Sequence, residues 1–249
     1  MKAQKPFLIV LSILILSMLA CRVGGIVIDR ERITGSGNLK SEERVVKDVE
    51  RVRLSYMGEL TIIEGDEEGL TVEADDNLLP YIETEMRGRE LVIGVQEGIQ
   101  LDTDHPIRYT LRIKTLNEVS ISGSADVYAE SLDTGDLSLE ISGSGNVRIN
   151  QLSADDLRVR ISGSGNFDLA GETQSLDLTI TGSGNVRGGD LASRQVKVVI
   201  SGSGNAALWA SETLDIRVTG VGNVDYYGRP EVTQSITGDA DVNSLGEHR

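Results

Sequence analysis

Leu137-Ser-Leu-Glu-Ile-Ser-Gly-Ser-Gly-Asn146 is followed by Val147-Arg-Ile-Asn-Gln-Leu-Ser-Ala-Asp-Asp156, and the pattern then restarts as Leu157-Arg-Val-Arg-Ile-Ser-Gly-Ser-Gly-Asn166. Apolar and polar residues alternate on the way into each Ser-Gly-Ser-Gly-Asn pentad, and a period of two marks a strand. The longer period marks a repeat architecture. Pentads of this kind carry their first glycine at Gly123, Gly143, Gly163, Gly182, Gly202, Gly220 and Gly238, with successive gaps of 20, 20, 19, 20, 18 and 18 residues. Thr34-Gly-Ser-Gly-Asn38 is an isolated earlier copy.

The apolar series continues as Leu176, Leu178, Ile180, then Val196, Val198, Ile200, then Leu214, Ile216, Val218. After each pentad a second short strand opens on Val127, Val147, Phe167, Val186, Ala206, Val224 or Val242, and a further apolar residue follows at Leu132, Leu152 and Leu191. About twenty residues at about 3.3 Å each give a closed perimeter of roughly 60 Å once turns are allowed for. That suits one coil of a solenoid of strands, whereas helical repeats take about 33 residues or more. Stacked coils would set strands parallel and about 4.8 Å apart, with Leu, Ile and Val in inward ladders. Such a core needs few aromatics, and the chain has only 2 Phe and 1 Trp. Parallel crossovers are overwhelmingly right-handed. The expectation is an all-β fold, a right-handed single-stranded parallel β-helix with about 20-residue coils, regular over residues 116–245.

Register can be checked on the outward positions. One column should hold Glu118, Ser138, Arg158, Asp177, Lys197 and Asp215, alternating in sign from Arg158 on. The next should hold Ser120, Glu140, Arg160, Thr179, Val199 and Arg217. Opposite charges on neighbouring strands contribute about 0.2–1 kcal/mol each, so these columns read as solvated stabilisers. In the last copy Val232, Gln234 and Ile236 take the inward positions, which puts a polar residue on a terminal coil, as the end of a solenoid requires. Residues 39–115 lack the pentad but still read as strands, with a helical turn at Leu78-Leu79-Pro80, a break at Arg87-Gly88-Arg89 between two of the strands, and room for a hairpin element in this half. They read as longer, less regular N-terminal coils of one domain.

Composition bounds the function. Lys plus Arg is 24 against 39 Asp plus Glu, a formal charge of −15. Neutralising phosphates needs clustered Lys and Arg, so nucleic acid is excluded as a partner. The chain has 28 Gly and only 4 Pro, which is neither a collagen nor a linker pattern and points to tight turns at positive φ. At the start, Lys2 and Lys5 precede the apolar run Phe7 to Ala20. A membrane-spanning helix needs about 20 residues, so this shorter run reads as an export signal over residues 1–20. Cys21 is the only cysteine, and Met18-Leu-Ala-Cys21 resembles a bacterial lipobox, with Met18 where Leu is more usual. Its acylation would give stable anchoring. Loss of Lys2 and Lys5 with the signal takes the formal charge from −15 to −17. The expected location is the cell envelope, lipid-anchored and facing the periplasm or the exterior, with residues 21–33 as lipidated Cys and tether.

Beyond the leader, the order of elements is as informative as the repeat. The entry strand Val49–Leu54 is followed by Glu59-Leu-Thr-Ile-Ile63, Leu70-Thr-Val-Glu-Ala-Asp-Asp-Asn-Leu78, Glu90-Leu-Val-Ile93 and then the Ser-Gly-Ser-Gly-Asn coils. In this the chain resembles the bacterial putative auto-transporter adhesin, head GIN domain family, over about residues 34–245, so that residues 34–249 form the head domain. The resemblance implies an exported or lipid-anchored β-helical protein with a surface-binding or adhesion role. It supplies no catalytic residues.

The pentads themselves suit coil corners. Asn146, Asn166, Asn185, Asn205 and Asn223 should stack as a structural ladder of amides. Calcium-binding β-helices use a nine-residue repeat with an Asp; here the period is about twenty and the acid is mostly Asn, so no metal site is assigned, and Asp-rich turns such as Asp155-Asp156 offer weak cation contacts at most. No cofactor is expected. A polar ladder also suits a polysaccharide or a surface protein, and Trp209, Tyr226, Tyr227 and Tyr128 are the candidate ligand-contact aromatics. A polysaccharide-active enzyme would need clustered acids. The acids here are scattered, and His105 and His248 have no metal-ligand spacing. The sequence thus favours a non-catalytic surface-binding module, with a structural envelope spacer as the alternative.

Overall fold

The structure is a computed structural model and describes residues 30–248. The export signal, Cys21 and most of the proposed tether lie outside the described residues. Strands in chain order are β1 (Glu31–Thr34), β2 (Leu39–Arg44), β3 (Arg51–Leu54), β4 (Met57–Glu64), β5 (Gly69–Asp75), β6 (Ile82–Arg87), β7 (Glu90–Val95), β8 (Ile99–Asp102), β9 (Arg108–Ile113) and β10 (Glu118–Ile121). The regular coils follow as β11 (Ser124–Ile141), β12 (Ser144–Ile161), β13 (Ser164–Ile180), β14 (Ser183–Ile200) and β15 (Ser203–Val218), and the last coil comprises β16 (Val221–Tyr227), β17 (Glu231–Ile236) and β18 (Asp239–Gly246). Each regular coil is a single strand wound round the core, broken only at the first two residues of the pentad.

Coil-on-coil pairing is parallel and in the register read from the repeat. Leu139, Val159, Leu178, Val198, Ile216 and Gln234 form one ladder, and Val127, Val147, Phe167, Val186, Ala206, Val224 and Val242 another. Most are fully buried, Phe167 among them. Both outward columns stack as expected. Of their charge pairs, Lys197 Nζ reaches Asp177 Oδ2 at 3.8 Å. A tighter pair, Arg148 to Asp168 at 2.7 Å, lies on a column the sequence argument did not name.

A simple corner joins the coils. Two successive N–H groups, of Ser162 and Gly163, donate to the one carbonyl of Ile141 at 2.9 and 3.2 Å. The same fork recurs at Thr181/Gly182 on Ile161 and at Ser201/Gly202 on Ile180. This brings the Cα of each corner glycine against the carbonyl of the glycine one coil below. A Cβ on Gly163 would lie within 3.0 Å of the Gly143 carbonyl oxygen and of the Ser142 backbone. The corner glycines Gly143, Gly163, Gly182 and Gly202 are not among the positive-φ residues. Close backbone approach, rather than the left-handed turn expected from composition, is why glycine recurs there.

The N-terminal part departs from a strictly parallel stack. The β3–β4 coil lies directly beneath β10 and β11, with Val52 beside Val119 and Leu60 beside Val127. Beneath it lie β7 and β9, which come later in the chain. Chain order and axial order therefore differ. Antiparallel strands then close this end: β6 on β7 through the Arg87-Gly88-Arg89 hairpin, and β5 on β9 with β2 beyond it. Gly88, at φ 64°, makes the tight reversal that a parallel coil lacks. The helical turn is present as a short 3-10 segment, Leu79–Tyr81. At the other end all six residues of β17 are exposed, including Val232 and Ile236, and Gln234 takes the ladder position next to Ile216.

Candidate functional site

The pentads generate a shallow polar trough along the coil stack. In each strand the third and fifth pentad residues point outward, with the fourth between them facing in. Ser164, Ser183 and Ser203 thus form one wall, the Asn row the other, and the backbone of Gly165, Gly184 and Gly204 the floor. The trough encloses about 800 Å³ and runs from Gly145 to Asp241. It is neutral along its length and acidic at the C-terminal end, where Asp239 and Asp241 replace Ser and Asn.

The asparagine wall is a directional chain of hydrogen bonds. Asn166 Nδ2 donates to Asn146 Oδ1 at 2.9 Å, Asn185 Nδ2 to Asn166 Oδ1 at 2.9 Å and Asn205 Nδ2 to Asn185 Oδ1 at 2.9 Å. Backbone N–H groups of Asn185 and Asn223 join at 3.2 and 3.0 Å. These linked amides all donate toward the N-terminal end, so the lowest member is needed only as an acceptor. That member is Asp126, whose Oδ1 takes both the N–H and the Nδ2 of Asn146 at 2.9 and 2.7 Å. An aspartate in the first pentad is thus a fitting terminus for an amide ladder.

Beyond the Asn row lies a second, charged trough of about 540 Å³, lined by Glu59, Tyr128, Arg148, Asp168 and Arg187. Asn146 and Asn166 line both, so the ladder is the ridge between them. Tyr128 donates its hydroxyl to Glu130 and accepts from Asn150 Nδ2 at 3.1 Å. That bond to Glu130 raises the Tyr128 pKa and lowers that of Glu130.

The candidate aromatics are not one group. Tyr128 lies on the charged trough, while Trp209 and Tyr227 come together elsewhere, around His248. Tyr226 is partly buried against the core. Among the described residues no aromatic side chain lines the Ser–Asn trough. The Arg148–Asp168 pair is the feature that the sequence reading missed, though the 20-residue register places both residues on one column. His248 at Trp209 could not be read from spacing, since the tail carries no repeat.

The isolated early copy has a different use. Ser36 N–H donates to Asn77 Oδ1 at 2.8 Å, and Asn77 Nδ2 to the Thr34 carbonyl at 2.8 Å. Buried Asp75 accepts from Thr103 Oγ1 at 2.5 Å and faces His105 Nδ1 at 3.3 Å. The Thr103 bond, helped by His105, holds the Asp75 pKa below its ordinary value despite burial. This network fastens residues 34–38 to the 75–77 turn. Among the described residues no three His, Cys, Asp or Glu converge on a metal site.

Comparison with known proteins agrees with this geometry. A putative adhesin from Bacteroides fragilis is 27% identical, with a TM-score of 0.83 over 86% of this chain and 100% of that one. A putative adhesin from Parabacteroides distasonis is 25% identical, TM-score 0.67, over 86% and 100%. A protein of the same species described as a putative lipid binding protein shares the fold at 23% identity, TM-score 0.71, over 86% and 100%. No curated protein matches the sequence. The family model described as "Putative auto-transporter adhesin, head GIN domain" matches residues 48–230. Two of the three relatives are described as adhesins, and the family is exported and cell-surface-associated. A β-solenoid of stacked pentad coils, matched over most of its length, makes this chain a member of the auto-transporter adhesin head GIN domain family (DUF2807).

Proposed function

We propose that the chain is a lipid-anchored surface-binding module that holds an extended glycan or protein ligand along the Ser–Asn trough. The observation that carries this is the trough itself, which offers a hydroxyl and an amide on each of the three coils of Ser164, Ser183 and Ser203, across a floor of glycine backbone. Each of these coils repeats the same donors and acceptors about 4.8 Å further on. A polymer with repeating polar groups can meet such a row many times, whereas a compact molecule can meet it once. Residues 1–20 act as the export signal, Cys21 carries the acyl chains, residues 21–33 form the tether and residues 34–249 the head, its coils winding right-handed as parallel crossovers do. The anchor holds the head to the cell envelope, facing the periplasm or the exterior.

Two experiments test this reading. Ser183→Trp would fill the trough at its centre, and binding of the full chain to arrayed polysaccharides and to surface-protein extracts should fall at least tenfold. Equal binding by both forms sinks the trough. Cys21→Ser should move the protein from the membrane fraction to the soluble one; unchanged partitioning sinks the anchor. The unbroken amide ladder also suits a rigid spacer. Removing one central coil separates the two roles, because a spacer loses function with length and a local binder does not.

A further inference from the structure

Away from both troughs, one surface cluster is already filled by the chain itself. The His248 imidazole lies flat on the Trp209 indole, ring centroids 4.3 Å apart and planes 6° apart. Its edge meets the Tyr227 ring at 5.0 Å and 78°. Nε2 of His248 lies 3.0 Å from Asp190 Oδ1. A carboxylate only accepts, so Nε2 carries the proton and donates it. Gly189 leaves room for the arrangement, since a Cβ there would come within 3.2 Å of the Tyr227 ring. A flat ring with its Nε2–H on Asp190 is thus held by one stacked ring, one perpendicular ring and a carboxylate.

That set of contacts favours a planar cation. An indole face attracts positive charge, and Asp190 supplies a full negative charge at the rim. The present occupant is weakly tethered. Gly246, at φ 84°, turns the chain out of the β18 ladder, and the tail beyond it is tied by the Arg229–Glu247 pair at 3.1 Å. Both partners of that pair are mostly exposed, and such pairs contribute little. The Gly228 N–H to the Gly246 carbonyl, at 2.8 Å, holds the chain only up to the turn.

We infer that Trp209, Tyr227 and Asp190 form a clamp for a planar cationic side chain of a partner polypeptide, and that His248 is the internal occupant that fills it in the free protein. Guanidinium suits the clamp best, because it stacks on a ring and donates to a carboxylate at the same time. The clamp stands apart from the trough, so neither depends on the other.

Trp209 is the only tryptophan in the chain, so its emission reports the clamp alone. The full chain and His248→Ala are titrated with N-acetylarginine amide and with its lysine and citrulline counterparts. Arginine should give a saturable change in emission, about tenfold tighter in His248→Ala because the competing occupant is gone. Adding Asp190→Asn in that background should weaken it about tenfold, as loss of the charge partner requires. Citrulline keeps the plane without the charge and lysine the charge without the plane, and each should bind more weakly than arginine. Equal affinities for arginine and citrulline on the unaltered chain overturn the clamp, and that comparison needs no variant to fold. Equal arginine affinities for wild type and a folded His248→Ala overturn the role of the tail.

Discussion

Replacing Gly163 by Ala tests whether the coil corners are set by backbone approach. In the native stack a Cβ at this position would lie within 3.0 Å of the Gly143 carbonyl oxygen and of the Ser142 carbonyl group. All of these are backbone atoms of the coil below, where the Ser164 N–H holds the Gly143 carbonyl at 2.9 Å and the Ser162 and Gly163 N–H groups hold the adjoining Ile141 carbonyl at 2.9 and 3.2 Å. They cannot swing aside as a side-chain tip can. Forcing a methyl into a packed interior costs about 1–3 kcal/mol, and a contact with backbone belongs at the upper end. The loss of glycine freedom in the unfolded chain returns about 0.4–1 kcal/mol. The net destabilisation is about 2 kcal/mol, which for a chain of this size lowers the melting midpoint by about 4–8 °C. Gly65→Ala is the control, because nothing lies within 4 Å of a Cβ there, and it should melt at or slightly above the wild-type temperature. Circular dichroism melts of the three proteins decide it. A Gly163→Ala midpoint within a degree of wild type would refute the close-approach account.

Asn166→Ala removes one amide donor and the oxygen that accepts from Asn185 at two points; at about 0.5–1.5 kcal/mol per net bond, and less for exposed groups, urea unfolding should show a loss of about 1 kcal/mol. Tyr109 is buried, its hydroxyl meets no hydrogen-bond partner among the described residues, and burial raises its pKa strongly. Tyr109→Phe should therefore be neutral or stabilising by about 1 kcal/mol in the same assay, whereas a clear loss would mean the hydroxyl has a partner. For Asp75 the folded pKa is depressed below the ordinary value of 3.8. Its contribution to stability is therefore complete above that value and disappears as pH falls through the lower folded one. Protection from hydrogen exchange at residues 35–38, relative to the intrinsic rate at each pH, should fall below about pH 4 more than protection at β13, and Asp75→Asn should remove that pH dependence.

The regular coils were legible because a repeat reports its own register. Once Leu139, Val159 and Leu178 are aligned on their pentads, every inward ladder and outward column follows, and the structure pairs them so. The Asn row was legible for the same reason. The purpose of the glycines was not, because positive φ and close approach both demand glycine and only the distance to the next coil separates them. Nor was the meeting of Trp209, Tyr227, Asp190 and His248, since His248 and Asp190 stand 58 positions apart with no period relating them.

Sequence alone therefore determined the coil, its length, its inward ladders and the ridge of asparagines, because each is a local property copied at a fixed interval. Tertiary structure alone decided the N-terminal end. There the β3–β4 coil sits between the later β7–β9 layer and the repeats, and antiparallel strands close the stack. The physical reason is that a terminal coil has no neighbour to copy. Its inward face and free edge must be covered by whatever strands can reach them, and alternation along a strand says which face is buried but not which strand lies beside it.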